Sequence, residues 1–251
     1  MAITHRITKS AASGFSLIEM MIVLAILLTI TASIFQVINT STQRSSAEQT
    51  KLDMFQEARE FMDQMSRDLR QAGYPSPRNV DASLLTQNPI IKDKDAAAGL
   101  VKVDTGDLWF EGDVDGTGAV SVIKYHLDVS TSNNCPCLKR SQLPKVDGDP
   151  LIEGVGGQTE ASYQVEVQGV LMTNPNIFSA YNNGGAVGLP VTISSGSGVT
   201  IAGVDTVQAT LSLQAAAVDP QTHQKPVTTL VTTVRLSNCS QAAIGSQTSC
   251  Q

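Results

Sequence analysis

The sequence predicts an α+β fold: a long N-terminal helix, apolar in its first half and amphipathic in its second, packed on an antiparallel β-sheet head. Three observations predict it. Residues 15–38 are overwhelmingly apolar, and no ionisable residue occurs from Met20 to Gln43. Apolar residues then recur at three- and four-residue steps as far as Ala72, the period of one helix face. From Asp107 onward the pattern changes to β-branched residues and two-residue alternation. A helix followed by a run of strands is the α+β order. With 251 residues, 41% of them hydrophobic, the chain is long enough for one or two domains with a real core.

The apolar stretch comes first. As a helix its roughly 24 residues reach about 36 Å, enough to cross a bilayer. Ahead of it, residues 1–14 carry His5, Arg6 and Lys9 and no acid. Basic residues stay on the cytoplasmic side, so the segment after about residue 43 faces outward. The formal charge of the whole chain is −6, and loss of the basic leader makes the remainder more acidic still. Bulk charge therefore excludes a nucleic-acid surface driven by electrostatics.

A secretory signal places its cleavage site after the apolar core, at small residues. Here the core is too long for that class, and the small-residue pair Ser13-Gly14 lies before it. Cleavage after Gly14 leaves the apolar segment as the new N-terminus and makes Glu19 its fifth residue. A carboxylate inside hydrocarbon is costly and calls for a partner. The cationic α-amino group of Phe15 on a staggered neighbouring copy supplies one, and satisfies both charges. The alternative is a single-span anchor whose glutamate snorkels to the interface.

Gly14-Phe15-Ser16-Leu17-Ile18-Glu19 and the hydrophobic run behind it resemble the class III signal of type IV pilins and type II secretion pseudopilins. The resemblance implies that a prepilin peptidase cuts at Gly14, that Phe15 is N-methylated, and that Glu19 is the assembly carboxylate. It further implies a type IV pilin-like fold, a single pass through the bacterial inner membrane with a cytoplasmic leader and a periplasmic head, and later residence in a pilus or pseudopilus. The implied partners are the prepilin peptidase, other major and minor pilins or pseudopilins, and the inner-membrane assembly platform. Residues 61–74 and 232–238 are similar to PilW-type minor pilins, while J-type pseudopilins share the overall plan. The expected function is thus a minor pilin that helps prime assembly near a filament tip, with a J-type pseudopilin as the alternative. The expected divisions are a leader (1–14), a transmembrane assembly helix (15–43), the amphipathic half of the helix (44–74) and a β-rich extracytoplasmic head (75–251).

The amphipathic half presents Leu52, Phe55, Ala58, Met62, Met65, Leu69 and Ala72 on one stripe. Glu57, Arg59, Glu60, Asp63, Arg67, Asp68 and Arg70 lie opposite, with Asp63 and Arg67 spaced for an ion pair. Gly73 and Pro75 stop the helix. From Phe15 to Ala72 a continuous helix measures about 87 Å. Thr29, Thr31 and Ser33 are placed to bond back to the backbone without breaking it.

Strands are expected at 107–111, 119–129, 161–172, 204–218 and 227–236. Residues 181–198, dense in Asn, Gly and Ser, read as a long loop.

Four cysteines, Cys135, Cys137, Cys239 and Cys250, fall in the outward part. An even count in an oxidising compartment suggests two disulfides. A bond across Pro136 is expected to be strained, so each of Cys135 and Cys137 is expected to pair with Cys239 or Cys250. A metal site at Cys-Pro-Cys is the alternative, without a nearby histidine or the usual spacing. Asp113, Asp115 and Thr117 resemble the opening of a calcium loop, but Lys124 stands where the distal bidentate carboxylate belongs, and a hairpin turn is the preferred reading. No other cofactor is expected.

An enzyme is not expected. His126 and His223 sit in no nucleophile or metal constellation, and no phosphate loop or dinucleotide fingerprint occurs. A membrane-tethered periplasmic binding protein is the remaining class; it has the same span and head but no use for Gly14 or Glu19.

Overall fold

The computed structural model describes residues 14–76, 79–88, 90–130, 135–150, 162–171, 176–193, 201–216, 218–219 and 222–237. The chain forms two compact units, Met1–Glu48 and Gln49–Gln251. One helix, α1 (Leu17–Gln71), contributes to both.

In the first unit α1 buries nothing. Every large apolar side chain from Phe15 to Ile38 is more than half exposed, and the helix contains a window of mean hydropathy 2.5. By length and composition it is able to cross a membrane. Apolar exposure on this scale requires hydrocarbon or protein as its surroundings. Thr29, Thr31 and Ser33 donate to Ile26, Leu27 and Thr29 carbonyls at 2.7–2.9 Å, and the helix continues through them as expected.

In the second unit α1 buries Met54, Ala58, Phe61, Met62, Met65, Asp68 and Leu69. At 100° per residue these occupy an arc of about 120° centred near Met65. The expected stripe is corrected at its start: Leu52 and Phe55 fall roughly 140° and 80° from that centre and are exposed, while Met54 and Phe61 take their places. Asp68, expected on the solvent side, lies at the buried edge of the arc instead. Asp63 and Arg67 form no ion pair among the described residues. The helix ends where Gly73 adopts φ 81°, and its N–H donates to the Glu111 carbonyl at 2.8 Å.

Ten strands follow among the described residues. β1 (Leu100–Val103), β2 (Asp107–Gly112), β3 (Ser121–Asp128), β4 (Cys137–Pro144) and β5 (Gln164–Gln168) form an antiparallel meander, closed beside β1 by β8 (Val191–Thr192). β6 (Phe178–Asn182), β7 (Gly185–Val187), β9 (Thr206–Gln214) and β10 (Val227–Arg235) form a second antiparallel sheet in the order β10-β9-β6-β7. The helix and both sheets share one hydrophobic cluster, in which Met65, Leu69, Phe110, Tyr125, Phe178 and Leu211 are wholly enclosed. Each such side chain contributes about 1.5–3 kcal/mol. Phe61 meets Tyr125 edge to face at 5.6 Å.

The five expected strands are present as β2, β3, β5, β9 and β10: β2 runs one residue further, to Gly112, the other four are shorter, and residues 161, 172 and 217 of the expected ranges lie outside the described residues. The loop expected at 181–198 is corrected over 181–193, which hold the end of β6, all of β7, and β8; residues 194–198 lie outside the described residues. Its Asn183-Gly184 pair, both at positive φ, is the tight turn of the β6–β7 hairpin. A turn dipeptide was the signal, and composition alone obscured it.

Candidate functional site

The N-terminal motif builds a helix start. The Ser16 carbonyl accepts from Glu19 N–H at 3.0 Å and Met20 N–H at 3.2 Å, so Ser16 stands at the cap and Glu19 three residues on. This is the spacing of a capping box, which sequence reading missed although Ser16 and Glu19 spell it. A carboxylate in the first turn also faces the positive end of the helix dipole. Phe15 is 75% exposed and Glu19 is exposed.

Gly14 has no structural reason to be glycine. It avoids positive φ, and a Cβ built on it meets nothing within 4 Å. Gly112 shows the contrast: its Cβ would lie 2.3 Å from the Gln71 carbonyl, where the strand crosses the helix end. Glu19 suits the first turn of the helix, but it is also the only ionisable side chain from Phe15 to Gln43, in a segment otherwise fit for hydrocarbon.

The cysteine expectation is corrected. Cys135 and Cys137 are bonded to each other, with their Cα atoms 4.5 Å apart. That separation lies inside the ordinary disulfide range, so the two-residue spacing closes without help from the tail. Cys239 and Cys250 lie outside the described residues. The Asp128 carboxylate stands within 4.8 Å of both sulfurs. It is already engaged, by Lys139 Nζ at 2.7 Å and the Ser130 N–H at 2.7 Å. In the disulfide form this cluster has no thiolate to offer a metal.

The calcium candidate closes on its own carboxylates. Asp113 accepts the N–H groups of Thr117 and Gly118 at 3.0 and 2.9 Å; Asp115 accepts the Thr117 hydroxyl at 2.8 Å. The Thr117 hydrogen bonds hold the Asp115 carboxyl below its ordinary value. Gly116 and Gly118 supply the positive φ of the β2–β3 turn. Lys124, at the position of the missing ligand, lies 4.0 Å over the Trp109 ring.

Three polar clusters were not expected. Lys145 is fully enclosed and donates to the Ile91 and Ala96 carbonyls and to Glu111 Oε2, all at 2.6–2.7 Å. Burial pushes the Glu111 carboxyl up, against the pull of Lys145. Asp68 Oδ2 receives Tyr125 Oη–H at 2.7 Å and Arg140 Nε–H at 2.9 Å, tying α1 to β3 and β4. Desolvation alone would lower Arg140, but Tyr125 and Asp68 together raise it. His126, half-buried on β3, pairs with Asp107 Oδ1 at 2.6 Å, and this bond holds Asp107 below the usual carboxylate range. Each cluster joins separate elements of the head. β4 was not expected; its charged Lys139 and Arg140 face the buried carboxylates Asp128 and Asp68.

Against known proteins, residues 9–35 match the prokaryotic N-terminal methylation motif. The match contains Gly14, Phe15 and Glu19 and stops within the apolar helix. No curated protein and no solved structure matches the chain. A methylation motif, a membrane-capable helix and antiparallel sheets packed on its second half support a type IV pilin-like or pseudopilin protein.

Proposed function

We propose that the chain is a minor pilin of a type IV pilus, a structural subunit that helps prime assembly near the filament tip. The observation that carries this is the pair Gly14 and Glu19: no contact of the described residues requires a glycine at 14, and the one ionisable side chain between Phe15 and Gln43 stands five residues into the chain that cleavage after Gly14 produces. The subunit enters the inner membrane leader-first and is cut after Gly14. Phe15 then carries the methylated α-amino group. On extraction into a filament the exposed apolar face of residues 15–38 is covered by neighbouring helices, and Glu19 pairs with the terminus of an adjacent subunit. On this reading the head is structural; the buried pairs Lys145–Glu111 and Arg140–Asp68 tie its elements together.

A J-type pseudopilin is the second reading, because the motif match ends at residue 35 and serves either machine. Both are tested by Glu19→Ala in the native host, at matched protein level. Loss of surface filaments with secretion intact supports the pilin. Loss of secretion alone selects the pseudopilin, and no loss of either returns the chain to a membrane-tethered binding protein.

A further inference from the structure

Among the described residues, the last strand of the second sheet has one edge without a pairing strand. β10 pairs with β9 over its whole length, from Val227↔Gln214 to Arg235↔Thr206. Hydrogen bonds at the two ends fix which residues face β9: Ala215 N–H donates to the Pro226 carbonyl, and Leu236 N–H to the Asp205 carbonyl. In an antiparallel ladder the bonded pairs alternate, so the even-numbered residues of β10 bond to β9. The N–H and C=O groups of Val227, Thr229, Val231, Thr233 and Arg235 therefore point to the other side. Among the described residues no strand pairs with that side.

Burial along the strand separates its two faces. The same five residues are exposed, Val231 at 58%. On the core-facing side Thr228, Leu230 and Thr232 stay half-open, while their register partners Leu213, Leu211 and Ala209 on β9 are buried. Among the described residues, no strand beyond β10 covers this part of the core. The usual protections of an edge are missing between Val227 and Val234, which contain no proline, no glycine and no charge.

We infer that the free edge of β10 is a strand-addition site for an extended segment of another subunit. A row of alternating N–H and C=O groups is complemented by a β-strand and by little else. The charges choose which strand. Exposed Lys225 and Arg235 stand at the two ends of the edge, with nothing ionisable between them. Antiparallel pairing of two copies about Val231 sets Arg235 of one beside Val227 and close to Lys225 of the other, so like charges oppose a homodimer. The fitting occupant is an uncharged, β-branched strand carrying a carboxylate near each end.

The test is residue-resolved amide hydrogen exchange on the full chain in detergent micelles. The probe is a synthetic peptide of alternating valine and threonine, matched in length to β10, with glutamate at both ends. At saturating peptide the open-side amides of Thr229, Val231 and Thr233 are expected to slow at least tenfold, and the Val231→Pro variant to abolish this. Proline at 231 removes an outward donor and leaves the β9 ladder whole. If that variant does not fold, the unaltered chain still decides, because a peptide with lysine ends should protect these amides several-fold less. No slowing with the acidic peptide, or equal slowing with both peptides, overturns the assignment. Slowing that rises with protein concentration and needs no peptide overturns it in favour of a second copy.

Discussion

Lys145 and Glu111 illustrate how much of the head rests on single side chains. Removing the ammonium in Lys145→Ala leaves a fully enclosed carboxyl without its counter-charge, an expected loss of about 3–5 kcal/mol. Urea unfolding of the full chain in detergent micelles checks it. The sign with pH follows from the raised Glu111 carboxyl: a group whose value is higher in the folded state stabilises below its ordinary value and loses that contribution as pH rises through the folded one. The variant is therefore expected to lose least near pH 4 and most at neutral pH. Asp107 behaves oppositely. His126 lowers it, so its contribution is present above the ordinary carboxylate value of 3.8 and disappears as pH falls through the lowered one. In Asp107→Asn, the drop in stability between pH 6 and pH 3 should be smaller than in the unaltered protein. Residues of this kind were illegible in the sequence, because a lysine at 145 or an arginine at 140 is indistinguishable from a solvated one until its partner arrives from another element.

At the scale of elements, the apolar half of α1 and its amphipathic half were legible from period alone, as were five strands. Period fixed the phase of the helix well enough to place Met62, Met65 and Leu69 in the core. It failed where the burial arc is set by the sheets, at Leu52, Phe55 and Asp68. The short strands β1, β6, β7 and β8 escaped because two to five residues hold too little alternation to read. Gly112 locks helix to sheet through Ala72↔Gly112 pairing, and no helix or strand pattern announces it. Adding a methyl there in Gly112→Ala drives it into the Gln71 carbonyl. A destabilisation of about 3 kcal/mol is expected, read as an earlier urea midpoint with unchanged slope.

For the whole molecule, the candidate site was the most legible part. Six residues, Gly14 to Glu19, carry it locally, and no tertiary contact is needed to assemble it. The cysteine pairing was the least legible, because it depends on how closely two Cα atoms approach across Pro136 rather than on cysteine count. The exposed apolar helix of the first unit requires hydrocarbon or other helices around it. Membrane residence and filament residence make the same demand on residues 15–38, and processing at Gly14 separates both from a simple anchor. The decisive measurement is intact mass with N-terminal sequencing of the chain purified from native membranes. A mature chain beginning at N-methylated Phe15 is the result this account predicts; a chain that retains residues 1–14, or one cut beyond the apolar run, would contradict it.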